Sequence, residues 1–205
     1  TNLSYFSQAV GLAVQNFLSP AVGIAVAFAL LRGLASSDGG KLGNFFVDVV
    51  RAVLYVLLPL SLVLALVGVW QGSPQTFQGY EMVQLLEPVS VDAEGALVDA
   101  DDPTAVQEVT EAVVPLGPQS SQVAIKQLGT NGGGFNGANS ASALENPTPL
   151  TNLLQCAAMP LIPFALVFAF GRMVGDRRQS RALMTVVLAI LAAGLFSVIA
   201  AETAA

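Results

Sequence analysis

Residues 129–137 read GTNGGGFNG, a charge-free and glycine-rich segment that lies between two long hydrophobic stretches. Glycine has no side chain to cover the main chain, so its amides and carbonyl oxygens remain accessible to a ligand. At membrane depth, non-helical backbone persists only where protein buries it or where it lines a water-filled cavity. A loop that offers carbonyl oxygens to a cation meets that condition, and we therefore predict an ion-binding loop here.

The composition of the whole chain is that of a membrane protein. Of its 205 residues, 54% are hydrophobic and 11% are charged, with a mean hydropathy of +0.66, whereas soluble domains have about 25% charged residues. About 20 apolar residues are needed for a helix to cross the hydrocarbon core. Four segments reach that length, at residues 5–32, 45–70, 150–172 and 182–201. We predict an all-α polytopic membrane protein with four transmembrane helices.

Basic residues mark one side of the membrane. They cluster at the span ends and in the two short connections, at Arg32, Lys41, Arg51, Arg172, Arg177, Arg178 and Arg181. The long connection, residues 71–149, contains Lys126 as its only basic residue. Because cytoplasmic loops carry the excess of Lys and Arg, we predict that the short connections are cytoplasmic. The long connection is then extracellular or periplasmic.

The first part of the long connection, residues 72–116, is acidic. Its carboxylates are Glu81, Glu87, Asp92, Glu94, Asp99, Asp101, Asp102, Glu108 and Glu111. A negative field of this kind can concentrate cations, but salt screens exposed charges beyond about 8–10 Å. A solvated extracellular loop is therefore the favoured interpretation. The spacing of the acids does not match a calcium-binding loop.

A short helix is predicted immediately before the glycine-rich loop, at residues 118–128. Pro118 suits the first helical position, and Gly129 suits the position after the last turn. Such a helix rises about 16 Å, which is half a bilayer, so it can enter the membrane and return but cannot cross. Its carbonyl end favours a cation, and Lys126 opposes this unless it points away or pairs with an acid. A surface helix on the outer loop is the alternative.

The segment after the loop prepares the third span. Thr148 can cap that helix, and Pro149 can occupy its first position. The order of span, short helix, glycine-rich loop and span is typical of pore loops, in which backbone carbonyls replace an ion's hydration shell. Phosphate binding is disfavoured because Phe135 and Asn136 follow the glycines where a P-loop has Gly-Lys-Ser/Thr. The sequence contains no aspartyl phosphorylation motif, so ATP chemistry is expected in a partner chain, and no nucleic-acid partner is predicted.

The first and third predicted spans resemble each other. At an offset of 140, six of eighteen ungapped columns are identical, namely Gln15 with Gln155, Pro20 with Pro160, Ala25 with Ala165, Phe28 with Phe168, Ala29 with Ala169 and Arg32 with Arg172. We interpret residues 1–34 as the closing transmembrane helix of a first repeat, 44–175 as a complete second repeat, and 180–205 as the opening transmembrane helix of a third. The sequence starts without Met, a basic n-region or a cleavage site, and we expect an internal fragment of a larger polytopic protein.

Four motifs resemble one known family. They are GTNGGGF at 129–135, ANSA at 138–141, ENPTPLTN at 145–152 and GDRRQSR at 175–181, and the opening SYFSQAVGLAVQNFLS at 4–19 resembles it as well. The family is the potassium-binding A subunit of Kdp-type potassium-transporting ATPases. The resemblance implies a potassium-channel-like membrane subunit of four pseudo-repeats in a bacterial inner membrane. It also implies a P-type ATPase B subunit, a C subunit and a small F peptide as partners.

The resemblance also assigns site residues. The filter of the second repeat corresponds to Thr130, Asn131, Gly132, Gly133 and Gly134. Residues expected to support this filter are Gly129, Phe135, Asn139 and Glu145. Three places depart from the family pattern, since Asn136 replaces an expected Phe, Gly137 an expected Asn, and residues 142–144 an expected His-Pro-Phe.

Several polar side chains have alternative roles in this interpretation. Glu145 either holds the turn after the filter through hydrogen bonds, which we favour, or draws cations towards it. Asn131 and Asn139 are candidates to lock the loop with their amides. Two local ion pairs are predicted near the cytoplasmic side, Asp48 with Arg51 and Arg172 with Asp176. The clustered arginines could also contact anionic lipid headgroups.

The function implied is potassium selection within an ATP-driven uptake pump. Potassium is the transported ion, and this subunit is not itself an enzyme, because ATP and magnesium belong to the partner subunit. Two alternatives remain open. One is a passive potassium channel or symporter subunit of the same superfamily, and the other is a membrane scaffold whose acidic outer domain binds partners.

Overall fold

The first feature of the fold is a set of four long helices. The structure is a computed structural model that describes residues 3–36, 42–99 and 106–204. Four helices are long and apolar enough to cross a membrane, and we name them the first to fourth spans: Ser7–Ala35, Phe45–Trp70, Pro149–Met173 and Arg177–Ala204. The mostly helical, four-span membrane class is therefore confirmed. Lys41, Asp101 and Asp102, which entered the charge analysis, lie outside the described residues.

Local signals explain where the spans begin. Thr148 caps the third span by accepting a hydrogen bond from the Thr151 amide at 3.2 Å, and the Thr151 hydroxyl accepts one from the Thr148 amide at 3.0 Å. This reciprocal capping box precedes Pro149 in the first helical turn, as the sequence predicted. Asn44 caps the second span through a 3.2 Å hydrogen bond from the Val47 amide. The first and second spans each contain a π-helical segment, Ser7–Leu12 and Ala52–Leu57.

The acidic connection forms a small antiparallel sheet that the sequence analysis did not predict. Its strands are β1 (Tyr80–Val91), β2 (Leu97–Val98) and β3 (Gln107–Pro115), in the order β2-β1-β3. The register pairs Gln84 with Glu111 and shifts between Gln84 and Val89. Most residues of β1 are exposed, which agrees with a solvated element.

The packed core lies where the first three spans meet a short helix, Gln119–Leu128. Its buried side chains are Ala21, Ile24, Ala52, Leu57, Ile125, Leu128, Ala158 and Ile162. The fourth span packs against the third and contributes Ser180 as its buried residue within the described part of the chain. Its apolar side chains, such as Phe196 at 74% exposure, are available to lipid or to further protein.

The ion pair at the base of the first two spans differs from the prediction. Both carboxylate oxygens of Asp48 accept from the Arg32 guanidinium, with Nη2 and Oδ1 3.0 Å apart, so the predicted pairing with Arg51 is wrong. A planar guanidinium matches a carboxylate at two points, which a neighbour on the same helix does not achieve here. The predicted Arg172–Asp176 pair is also wrong, because Asp176 instead accepts the Arg178 amide at 2.7 Å.

Candidate functional site

The short helix is buried although it is polar. Nine of the ten residues of Gln119–Leu128 are buried, which contradicts the alternative of a surface helix on the outer loop. Its side chains find partners inside the protein. Ser120 donates to the Ala65 carbonyl of the second span at 2.8 Å, and Gln122 donates to Gln8 of the first span at 2.9 Å. The helix is thereby held among the spans with its carbonyl end at the glycine-rich loop.

The helix ends where a glycine is required. The Gly129 amide closes the last turn on the Ile125 carbonyl at 2.8 Å. A β-carbon added at Gly129 would lie 2.9 Å from Cγ of Pro20 and would collide with the Asn131 amide. The position therefore permits close approach of the loop to the first span.

The loop has a left-handed backbone. The φ angles are +55° at Thr130, +77° at Gly132, +89° at Gly133 and +117° at Gly134. Glycine adopts such angles without a steric penalty, whereas a β-branched residue such as threonine rarely does. Sparsely populated backbone angles persist only where the surrounding structure enforces them, and they cluster at functional sites. The conformation explains why glycines occupy this segment.

Asn131 fastens the loop to the first span. Its Nδ2 donates to the main-chain oxygen of buried Asn16 at 2.9 Å, and its own amide donates to the Lys126 carbonyl at 3.1 Å. Thr130 continues the helix end through its amide, which donates to the Gln127 carbonyl at 3.2 Å. The loop thus begins as a direct, hydrogen-bonded extension of the short helix.

A buried ion pair lies behind the loop. The Nζ of Lys126 is 2.6 Å from Oε2 of Glu145, and the two side chains are 0% and 1% exposed. The same Nζ donates to the Gly137 carbonyl at 3.1 Å, and Oε1 of Glu145 accepts the Asn136 amide at 3.1 Å. Lys126 therefore pairs with an acid, which is one of the two ways in which the sequence analysis allowed it to be compatible with a cation at the loop. Both oxygens of Glu145 are engaged within the protein.

Phe135 packs the loop against Tyr5, which lies just before the first span. It is 4% exposed, and its ring centroid lies 5.6 Å from that of Tyr5. The Tyr5 hydroxyl donates to the Leu116 carbonyl. A β-carbon added at Gly117 would come within 2.7 Å of the Phe135 ring, so this glycine makes room for it.

A recess of about 450 Å³ opens beside the first half of the loop. Thr130, Asn131 and Gly132 line it, together with Lys126 and Gln127 at the end of the short helix and Ala138 and Asn139 on the returning segment. The third span completes the wall with Asn152, Gln155, Cys156 and Met159. Gly133 and Gly134 are not among the lining residues. Gly133 faces Leu12 of the first span, and Gly134 faces the buried ion pair.

Side-chain amides at buried and partly buried positions form a second group that the sequence analysis did not assign to the site. Gln127 donates to the Ser140 hydroxyl at 3.0 Å, and Gln155 donates to the Glu145 main-chain oxygen at 2.9 Å. Polar residues within membrane spans are costly unless they find partners. Glutamines inside hydrophobic segments, such as Gln8 and Gln155, were therefore a usable signal.

A cation at this loop would be held without a cluster of acidic ligands. Among the residues that the structure describes, no group of three or more His, Cys, Asp and Glu side chains could hold a metal ion. The oxygen atoms of the residues that line the recess belong to main-chain carbonyls and to side-chain amides and hydroxyls, all of them uncharged. Backbone carbonyls are the ligands that potassium filters use.

Comparison with known proteins places the chain in a family. The family model described as the potassium-transporting ATPase A subunit matches residues 1–205. The chain belongs to this family. The A-subunit match confirms the resemblance inferred from the four motifs, since it extends over the whole sequence and includes the acidic connection.

Individual A subunits support the same assignment. The chain is 52% identical over 203 residues to the potassium-transporting ATPase potassium-binding subunit of Solidesulfovibrio magneticus, covering 99% of this chain and 34% of that protein. It is 54% identical over 183 residues to the subunit of the same description from Clostridium botulinum, covering 89% of this chain and 30% of that protein. The chain therefore spans about a third of the length of these relatives.

The positions predicted from the sequence to depart from the family pattern make contacts within the turn after the loop. Asn136 donates from its side chain to Oε1 of Gln119 at 2.7 Å, which joins the returning segment to the start of the short helix. Gly137 contributes the carbonyl that accepts from Lys126. Ser142 stabilises the following turn, in which its main-chain oxygen accepts the Glu145 amide at 3.1 Å.

Proposed function

We propose that this chain supplies one of four segments of a potassium-selective filter in the A subunit of an ATP-driven uptake pump. The observation that carries the proposal is a glycine-rich segment at the carbonyl end of a buried helix, with positive φ angles at Thr130, Gly132, Gly133 and Gly134. Relatives described as potassium-binding subunits support potassium as the ion. The proposed ion ligands are the main-chain carbonyls of Thr130, Asn131, Gly132, Gly133 and Gly134.

The mechanism follows from the chemistry of the loop. Carbonyl oxygens replace the hydration shell of potassium, and the carbonyl end of the short helix adds a favourable dipole. One loop cannot surround an ion, so equivalent loops of the other repeats complete the ring. In this proposal, residues 1–34 close the first repeat, 44–175 form the second, and 180–205 open the third. Gly129, Phe135, Asn139 and Glu145 support the filter.

Partner subunits perform the energy-consuming step. The A subunit is not catalytic and delivers potassium to a P-type ATPase B subunit, which binds ATP and magnesium. A C subunit and a small F peptide complete the complex in the bacterial inner membrane.

Residues 71–149 face the outside. On the cytoplasmic side, Arg172, Arg177 and Arg181 line a recess of about 410 Å³ that suits the phosphate of an anionic lipid.

Shortening the acidic sheet separates transport from the scaffold alternative. Residues 85–110 can be replaced by an Asn-Gly turn in the full-length subunit, because Gln84 pairs with Glu111 and a two-residue hairpin can close that pair. We expect potassium uptake by cells that lack other uptake systems to be retained, since most of the described residues in the removed part are exposed to solvent. Loss of uptake by a complex that still assembles supports the scaffold instead.

Purification of the full-length subunit separates the pump from a passive channel or symporter. We expect an ATP-hydrolysing subunit to copurify and its activity to rise when potassium is added. Sodium at the same concentration is the matched control for ionic strength. A subunit that transports potassium in vesicles without a copurifying ATPase contradicts the pump and favours the passive alternative.

A further inference from the structure

We infer that Lys126 and Glu145 are positioning residues for potassium selection, an inference that rests on the proposed function of the loop. Neither residue is proposed to touch the ion. The pair joins three separate segments behind the loop and keeps both of its charges neutralised next to the ion path.

The contacts show how the three segments are joined. Lys126 belongs to the last turn of the short helix, and its Nζ donates to the Gly137 carbonyl on the returning segment. Glu145 precedes the third span, and its Oε1 accepts the Asn136 amide on the same segment. The 2.6 Å contact between Nζ of Lys126 and Oε2 of Glu145 links the short helix to the segment before the third span. The start and the end of the loop are therefore held at a constant separation by one ion pair.

The packing against Gly134 carries this constraint into the proposed filter. A β-carbon at Gly134 would lie 3.2 Å from Nζ of Lys126 and 3.4 Å from Oε1 of Glu145. The Gly134 main chain therefore packs close to the ion pair, and an added β-carbon would require Nζ to move by a few tenths of an ångström. A change in the length or direction of either side chain alters the packing against the backbone of the loop.

The charge of the pair matters as much as its geometry. With side-chain exposures of 0% and 1%, neither group is screened by water. Removing the carboxylate leaves a buried ammonium that repels any cation at the loop. Removing the ammonium leaves a buried carboxylate, which attracts sodium as well as potassium. Both single losses therefore change ion preference as well as stability.

A purely structural pair makes a different prediction, so ion preference is the deciding measurement. If the pair only holds the fold together, variants lower the yield of complex while the surviving molecules keep the wild-type ratio of potassium to sodium activation. If it positions the loop, assembled molecules show a changed ratio. Partners of ion ligands commonly alter affinity by about 10–100-fold when replaced.

The experiment uses the full-length subunit in its assembled complex and measures ATPase activation by potassium and by sodium. For Glu145→Asp, which keeps the charge but shortens its reach, we expect about a tenfold higher half-activating potassium concentration and a lower preference over sodium. Lys126→Met is expected to show at least that change. Lys126→Arg, which keeps a cation and several donors, is expected to retain more preference than Lys126→Met. Glu81→Gln on the exposed strand β1 is the control for loss of a surface charge.

The inference is overturned if assembled Glu145→Asp and Lys126→Arg complexes keep the wild-type ion preference and Lys126→Met, where it assembles, keeps it too. A uniform loss of activity with an unchanged ratio overturns it too. Gly132→Asp measured in parallel identifies which idea has failed. If Gly132→Asp changes ion preference and the pair variants do not, the positioning role alone is wrong. If none of the variants changes it, the filter assignment is wrong as well.

Discussion

Gly132→Asp is expected to lower the preference for potassium over sodium by about tenfold in the assembled complex, which corresponds to about 1.4 kcal/mol. The backbone permits the substitution, since Asp tolerates left-handed angles better than most residues and φ is +77° here. A β-carbon at this position meets Ala138 at 3.5 Å, an ordinary contact. The effect therefore arises from a carboxylate in the recess, where a charged oxygen binds sodium and potassium with less discrimination than a ring of carbonyls.

Gly132→Asn is the matched control for this prediction. Asn has nearly the same shape and tolerates the same backbone angle, but it introduces no charge. We expect it to retain more of the potassium preference than the Asp variant. The measurement is ATPase activation as a function of potassium and sodium concentration. An unchanged preference in Gly132→Asp contradicts the assignment of residues 130–134 as a filter, and equal losses in both variants contradict the role of charge.

Gly134→Ala is expected to impair assembly of the complex strongly, because it adds both backbone strain and crowding of the buried ion pair. Its φ of +117° lies outside the region that an alanine adopts easily, and such strain costs about 1–3 kcal/mol. The new methyl carbon would also lie 3.2 Å from Nζ of Lys126, which is fully buried and cannot move into solvent. Displacing Nζ weakens its ion pair with Glu145, and a disturbed buried pair is strongly destabilising.

Gly137→Ala is the control that separates backbone strain from crowding of the ion pair. Gly137 has a comparable φ of +128°, but an added β-carbon there meets no atom within 4 Å. The backbone strain is therefore similar, and the crowding of the ion pair is absent. We expect Gly134→Ala to reduce the melting temperature of the complex and its yield in size-exclusion chromatography more than Gly137→Ala does. Equal losses in the two variants would show that backbone strain alone accounts for the effect.

The long helices could be predicted from the sequence because their signals are local. Hydrophobic length identifies a span without reference to any other part of the chain. Thr148 and Pro149 likewise act on amides of their own helix, so the start of the third span could be predicted to the residue. The glycine-rich loop could be identified for a related reason, because runs of glycine indicate backbone conformations that other residues rarely adopt.

The sheet was not predicted from the sequence. Its strands carry charged residues on exposed positions and bury little surface, so they lack the alternation of buried and exposed residues that marks a strand. The longest pairing joins Tyr80 to Pro115 across the connection. Such a pairing depends on the two strands meeting, which no short window of sequence reports.

The partners of the charged side chains were decided only by the tertiary structure. The sequence determined the membrane class, the four spans and the position of a bare-backbone loop, because hydropathy and glycine content act within a few residues. It could not tell that Asp48 would pair with Arg32 or that Lys126 would meet Glu145. Those contacts join residues 16 and 19 positions apart. They exist because helix packing brings separate segments together, and burial then makes any unpaired charge too costly to keep.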